Sequence, residues 1–148
     1  MCGFSGFLNF NPIWGDPLTL LQQMGDQLTH RGPDDSGVWF DNDFGVGLSH
    51  RRLSIIDLSA QGHQPMSSTS GRFVIAYNGE IYNHQELKKE LLQAGVIFRG
   101  GSDTEVLLAA IESWGIKQTL QRCIGMFAFS LWDKKEQTLS LVRDRMGE

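Results

Sequence analysis

The chain has 148 residues, 41% of them hydrophobic and 20% charged, a balance that suits one globular domain with its own core. Its net charge of −4 argues against a nucleic-acid binder, which wants a basic face. Only two cysteines are present, Cys2 and Cys123, with no CxxC pair; this suggests neither a disulfide framework nor a zinc knuckle, and it fits a reducing cytoplasm.

The opening run, residues 2–10, is apolar but short and follows no basic residue, so it reads as neither a signal peptide nor a membrane span. Within it, residues 3–9 alternate weakly and predict a first strand. Asp16-Pro17 is a helix start, an N-cap residue followed by proline at the first helical position. Leu18, Leu21, Met24 and Leu28 then mark one apolar helical face. Residues 31–37 form a loop by composition. Residues 38–40 and 45–48 flank Asp41-Asn42-Asp43 and predict a hairpin, and residues 53–56 are short and β-prone. Residues 72–77 predict a strand, with Asn78-Gly79 as a turn signal before Ile81-Tyr82.

Asn83 with Glu86 has the capping-box pattern, and Leu87 and Leu91 give that helix its buried stripe until Gly95 stops it. Ser102 with Glu105 repeats the pattern. Val106, Leu107, Ala110, Ile111 and Trp114 follow at helical spacing, with Gly115 as the end. Residues 126–132 and 138–143 are two further strands around a turn at 133–137. The order of elements, without a βαβ repeat, predicts an α+β domain of mostly antiparallel sheets. Seventeen glycines, many beside polar residues, suit a β-rich domain whose loops carry its chemistry. The last strand pattern runs almost to Glu148, and an uncovered edge there predicts that these residues belong to a longer chain.

Met1-Cys2 carries the sharpest chemical signal. Methionine is normally trimmed before a small residue, which would leave Cys2 with a thiol and a free α-amine. An unperturbed cysteine thiol titrates near ~8.5 and an unperturbed α-amine near ~7.7–8.0, so such an amine can take the thiol proton with little tuning. The plain alternative is a strand cysteine. A hydrolytic thiol also needs oxyanion donors and groups that hold its substrate. Asn78 and Gly79 supply a side-chain and a backbone N–H, or are only a hairpin turn. Glu80 and Asp103 suit an ammonium group, or are a solvated acid and a helix cap. An arginine of the pair Arg51-Arg52 suits a carboxylate, which it grips bidentately. Together these groups fit the two charged ends of an amino acid beside a nucleophile. No histidines pair at a metal spacing, and Gly100-Gly101-Ser102 lacks the lysine of a P-loop.

The ordered motifs Met1-Cys2-Gly3, His30-Arg31-Gly32-Pro33-Asp34, His50-Arg51-Arg52-Leu53-Ser54-Ile55-Ile56-Asp57, Gln64-Pro65, Tyr77-Asn78-Gly79-Glu80-Ile81-Tyr82-Asn83, Gly101-Ser102-Asp103-Thr104-Glu105 and Gly125-Met126-Phe127-Ala128-Phe129 cover nearly the whole chain. This set resembles the N-terminal glutaminase domain of glutamine-hydrolysing asparagine synthetases, class II glutamine amidotransferases of the N-terminal nucleophile hydrolase type. The resemblance implies a four-layer αββα sandwich, incomplete at its C-terminus, spanning residues 1–148. It implies Cys2 as nucleophile, Asn78 and Gly79 as oxyanion donors, and Arg52 on the glutamine α-carboxylate. Glu80 and Asp103 would hold the α-amine, and Leu53, Ser54, Ile55 and Ile56 would line the pocket. Position 51 is Arg where the family often has Glu; Arg52 is preferred because it directly precedes Leu53-Ser54.

The resemblance further implies that a Cys2 thioester splits glutamine into glutamate and ammonia. The ammonia would reach an ATP-dependent synthetase domain that amidates aspartate or another carboxylate. Residues 143–148 resemble a segment that the family continues with Lys-Pro-Leu-Tyr. The synthetase domain and its Ser-Gly-Gly-type loop are not in the sequence. No cofactor is expected in these residues; ATP and Mg belong to the synthetase domain. Glutamine and that domain are the expected partners, with no nucleic acid and no membrane, and the resemblance admits a cytoplasmic homodimer. Two rivals stay open: a glutamine-binding or purely structural remnant without catalysis, and an amidase acting on a different amide.

Overall fold

The structure is a computed structural model that describes residues 2–8, 15–55 and 59–147. The first half folds as β1 (Gly3–Leu8), α1 (Pro17–Asp26), β2 (Asp35–Asp41) and β3 (Val46–Arg52), followed by a 3-10 turn at Ala60–Gly62. Then come β4 (Met66–Ser67), β5 (Phe73–Ile81), α2 (His84–Gln93), α3 (Asp103–Arg122), β6 (Gly125–Asp133) and β7 (Thr138–Arg143). Two antiparallel sheets result, one ordered β1-β3-β2 and the other β4-β5-β6-β7. The α+β class with antiparallel sheets is as expected.

Strand alternation builds the layers. On β5, Phe73, Ile75, Tyr77 and Ile81 face the helices, where Leu87 and Leu91 of α2 and Val106, Leu107, Ala110 and Ile111 of α3 complete one core. The opposite face of β5, with Val74 and Ala76, meets Val46 and Leu48 of β3 and Trp132 of β6. Each fully buried side chain of this size contributes ~1.5–3 kcal/mol. The odd-numbered residues of β3 face away from this second core, toward α1. Stacked in order, α1, the three-stranded sheet, the four-stranded sheet and the α2–α3 pair form four layers.

Local expectations fared unevenly. Asp16 caps α1 through Thr19 N (2.9 Å) with Pro17 in the first turn. The buried side of α1, however, is Leu21 and Gly25; Leu18 is exposed and Leu28 lies beyond the helix. Ser102 caps α3 through Glu105 N, but the Glu105 carboxylate turns outward to the N–H groups of Arg99 and Gly100. Asn83 makes no side-chain cap; it instead ties Arg122 O and Ile124 N, joining the start of α2 to the end of α3. At Gly115 (φ 79°) the helical path breaks as expected, then resumes to Arg122.

Two corrections bear on the site. Asn78-Gly79 is not a turn: β5 runs straight through it, with Asn78 opposite Ala128 and Gly79 opposite Phe127. The nine-residue pairing with β6 overrides the dipeptide's preference. Glycine is needed there because β6 comes so close that a Cβ would sit 2.3 Å from Met126 O and 2.6 Å from Phe127 Cα. The second concerns residues 53–56: β3 ends at Arg52, and Leu53 to Ile55 leave the sheet irregularly. Ile56 lies outside the described residues.

Candidate active site

Cys2 immediately precedes β1. Gly3 pairs with Arg51 and Phe4 with His50, so the pleat puts Cys2 beside Arg52 on the inter-sheet face of the first sheet. Its partly buried thiol accepts the N–H of Leu53 (3.3 Å) and lies 3.6 Å from Leu53 O. The sulfur faces a cleft whose walls also include Arg52, Leu53, Ile55, Asn78, Gly79, Glu80 and Asp103. Six of the expected site residues with polar roles, from β3, β5, the start of α3 and Cys2 itself, thus converge on one cavity.

The far wall is the edge of β5. Even-numbered residues of β5 bond to β6, a pattern continued by Tyr82 N to Ile124 O. Odd-numbered N–H and C=O groups therefore point to the other edge. Strand β4 covers only Val74 and Ile75 there. Beyond it, side chains replace a neighbouring strand. Gln64 Oε1 accepts Tyr77 N–H at 2.7 Å, His50 Nε2–H donates to Tyr77 O at 2.9 Å, and Asp103 Oδ2 accepts Ile81 N–H at 3.0 Å. Alternation directs the N–H of Gly79, midway between these anchors, to the same edge and into the cleft. Asn78 also lines the cleft, and its Oδ1 is buried without a hydrogen-bond partner among the described residues.

The two arginines diverge as neighbours on a strand must. Arg51 turns to α1, where Nε donates to Gly25 O (3.2 Å) and the guanidinium bonds Asp26. Arg52 turns into the cleft, 7% exposed, with Nη1 donating to Ser59 O at 2.9 Å. Its guanidinium lies against Gly62: a Cβ there would be 2.0 Å from Nη2 and 2.5 Å from Cζ. Asp103, 5% exposed, also accepts the Tyr77 hydroxyl on Oδ2 at 2.7 Å. Ser54 does not line the cleft; its N–H is held by Asp34 Oδ2 at 2.8 Å. Ile55 lines it while 66% exposed.

Gln64, Tyr77, Thr104, His50 and Gly62 carried no role in the sequence reading. Gln64 (4% exposed) and Gly62 stand just beyond the β-prone segment, and only tertiary structure brings them to Tyr77 and Arg52. His50 is 1% exposed, and burial pushes its pKa down to about 4, so the ring is neutral at physiological pH. With Nε2–H given to Tyr77 O, its Nδ1 is a buried acceptor without a partner among the described residues. The Cys123 thiol is pushed up to about 11 by burial, the opposite of what a reactive thiolate needs. Among the described residues no set of three His, Cys, Asp or Glu side chains gathers as a metal site, and no helix is long and apolar enough to cross a membrane.

Residues 1–148 match the family described as glutamine amidotransferase domain. Asparagine synthetase [glutamine-hydrolyzing] 3 of Bacillus subtilis is 40% identical over 99% of this chain and 24% of its own length. Asparagine synthetase [glutamine-hydrolyzing] 1 of the same organism is 42% identical over 99% of this chain and 23% of its own length. Amidase chry2 of Gibberella zeae is 38% identical over 99% and 23%. The chain thus spans about a quarter of the length of these curated relatives. Among solved structures, the glutamine phosphoribosylpyrophosphate amidotransferase of B. subtilis, complexed with ADP and GMP, superposes with a TM-score of 0.73 at 22% identity, over 97% of this chain and 36% of that one. That likeness supports the fold alone.

Proposed function

The chain belongs to the glutamine amidotransferase domain family, and from that premise we propose that residues 1–148 form a glutaminase domain whose nucleophile is Cys2. After removal of Met1, the α-amine of Cys2 takes the thiol proton, directly or through a water, and the thiolate attacks the side-chain amide carbon of glutamine. The tetrahedral oxyanion is held by the N–H of Gly79 and the side-chain amide of Asn78. Collapse of the intermediate breaks the C–N bond, the Cys2 ammonium returns its proton to the leaving nitrogen, and ammonia departs. A Cys2 thioester remains. Water, deprotonated by the amine, then cleaves the C–S bond to give glutamate and restore the thiol.

Arg52 grips the α-carboxylate, Glu80 and Asp103 hold the α-amine, and Leu53 and Ile55, with Ile56 as the family resemblance implies, surround the chain of the substrate. Because Asp103 Oδ2 already accepts two protein hydrogen bonds, its Oδ1 is the oxygen assigned to the amine. The observation that carries this reading is convergence: thiol, donors, guanidinium and carboxylates from separate elements line one cleft.

The names of the relatives, asparagine synthetases acting on glutamine, support the second half of the proposal. The ammonia passes to an ATP- and magnesium-dependent synthetase domain that amidates aspartate or another carboxylate, in the cytoplasm. No residue described here is assigned to ATP or the metal.

The test is Cys2→Ala in the intact protein. Glutamine hydrolysis is expected to fall to background while glutamine still binds, and intact mass should show Met1 absent from the active protein. Turnover that survives the substitution refutes the nucleophile. A wild-type protein that binds glutamine without hydrolysing it would establish the non-catalytic alternative.

A further inference from the structure

We propose that Gln64 is a positioning residue for the oxyanion donor: its side chain stands in for a missing neighbouring strand and fixes the stretch of β5 that presents the Gly79 N–H. This rests on the reading above, in which Gly79 donates to the oxyanion. The inference starts from an incomplete sheet. Strand β4 is two residues long, and among the described residues no strand pairs with that edge of β5 from Tyr77 onward. Pairing with β6 sets which edge the Gly79 N–H faces, but an edge with no strand beside it can bend and twist, and an oxyanion donor must be held still before the charge develops.

Gln64 supplies the fix. It is 4% exposed, and the two ends of its amide do different work. Oε1 accepts Tyr77 N–H at 2.7 Å, while Nε2 donates to Thr104 Oγ1 at 3.3 Å in the first turn of α3. One planar group thereby ties the strand to the helix that carries Asp103. Asp103 in turn holds Ile81 N–H. Gly79 sits between two anchored odd-numbered positions, and its own N–H is the one the anchors leave for the cleft. Tyr77 is the residue through which Gln64 acts, two positions from the donor.

The acceptor end of Gln64, steadied through its donor end by Thr104, is the functional part; its volume is not. Gln64→Met keeps the shape and removes the acceptor. Gln64→Glu keeps an acceptor for Tyr77 N–H, and the Thr104 hydroxyl can turn to donate to its second oxygen. Removing an oxyanion donor outright costs about 10²–10³ in kcat, so loosening it should lower kcat about 10- to 100-fold in Gln64→Met, with the KM for glutamine within about two-fold of wild type. Gln64→Glu should stay within about three-fold in kcat. A residue that merely fills space, or that touches the bound amino acid, would move KM.

Steady-state glutaminase kinetics of both variants in the intact protein, with calorimetric glutamine binding to each in a Cys2→Ala background, decide the matter. The inference is overturned if Gln64→Met has wild-type kcat, if its KM or Kd rises with the loss of kcat, or if Gln64→Glu is impaired equally. Should Gln64→Met fail to fold, Thr104→Val, which frees the donor end, gives the second reading: kcat lower by about three-fold at unchanged KM supports the inference, and wild-type kcat overturns it. If Cys2→Ala itself retains turnover, the reading of the site falls. If Cys2→Ala is inactive while Gln64→Met is fully active, only the role of Gln64 falls.

Discussion

Gly62→Ala should separate binding from stability. A methyl group at position 62 would stand 2.0 Å from Nη2 and 2.5 Å from Cζ of Arg52. The obstructed atoms are the end of a flexible side chain, not backbone, so the scaffold yields by swinging the guanidinium away. The cost to folding includes the Nη1 bond to Ser59 O, worth ~1 kcal/mol, which by itself lowers Tm by about 2–4 °C in a domain of this size. The cost to function is larger. If Arg52 grips the α-carboxylate of glutamine, its charge-assisted hydrogen bonds are worth ~1.5–3 kcal/mol, which is a rise in KM of about 10- to 150-fold. The chemical step happens at the other end of the substrate, so kcat should hold within about three-fold. The assay is glutaminase kinetics with glutamine beside 4-aminobutanamide, which keeps the amide and amine and lacks the carboxylate. The KM for the truncated amide should be the same in wild type and variant. An unchanged glutamine KM, or an equal loss on both substrates, would refute the placement of the carboxylate at Arg52.

Two further predictions concern the scaffold. Gly79→Ala sets a Cβ 2.3 Å from Met126 O and 2.6 Å from Phe127 Cα, both backbone; separating β5 from β6 should cost at least ~2 kcal/mol, seen as a lower urea midpoint, and an unchanged midpoint would contradict the strand pairing described. His50 gives a pH signature. Its pKa in the folded protein is about 4, below the ordinary 6.5, because burial opposes the charge. The unfolded chain therefore binds the extra proton between those values, and stability falls as pH drops from 6.5 toward 4, by an amount on the order of 3 kcal/mol from this group. His50→Gln, which can still donate to Tyr77 O, should flatten urea-unfolding free energy over that range; an equally steep fall would show that other groups carry it.

The chain made its fold legible wherever local chemistry and tertiary packing agreed. Asp16-Pro17, the Leu87/Leu91 stripe, Ser102 and the β6–β7 hairpin all act in the structure as their patterns suggest. Asn78-Gly79 was misread because its glycine serves a close approach between strands, a demand set by β6 more than forty residues later in the chain. Asn83 was misread because its amide found partners at the far end of α3. The cleft residues with charged or nucleophilic side chains could be singled out by type. Gln64, Gly62, Tyr77 and His50 could not, since an uncharged amide, a glycine, a strand tyrosine and a lone histidine acquire meaning only from what faces them. The choice between Arg51 and Arg52, undecided by charge, is one that the pleat makes at once.

That same pleat puts the stretch of chain from Cys2 to Gly6 under a mechanical constraint. Cys2 keeps company with Arg52 because six consecutive residues of β1 march in step with β3, from Gly3 opposite Arg51 to Leu8 opposite Val46. Parity has only two values. A one-residue insertion or deletion between Cys2 and Gly6 would hand the sulfur to the side where Arg51 meets Asp26, leaving every other cleft group in position and none of them with a thiol to serve.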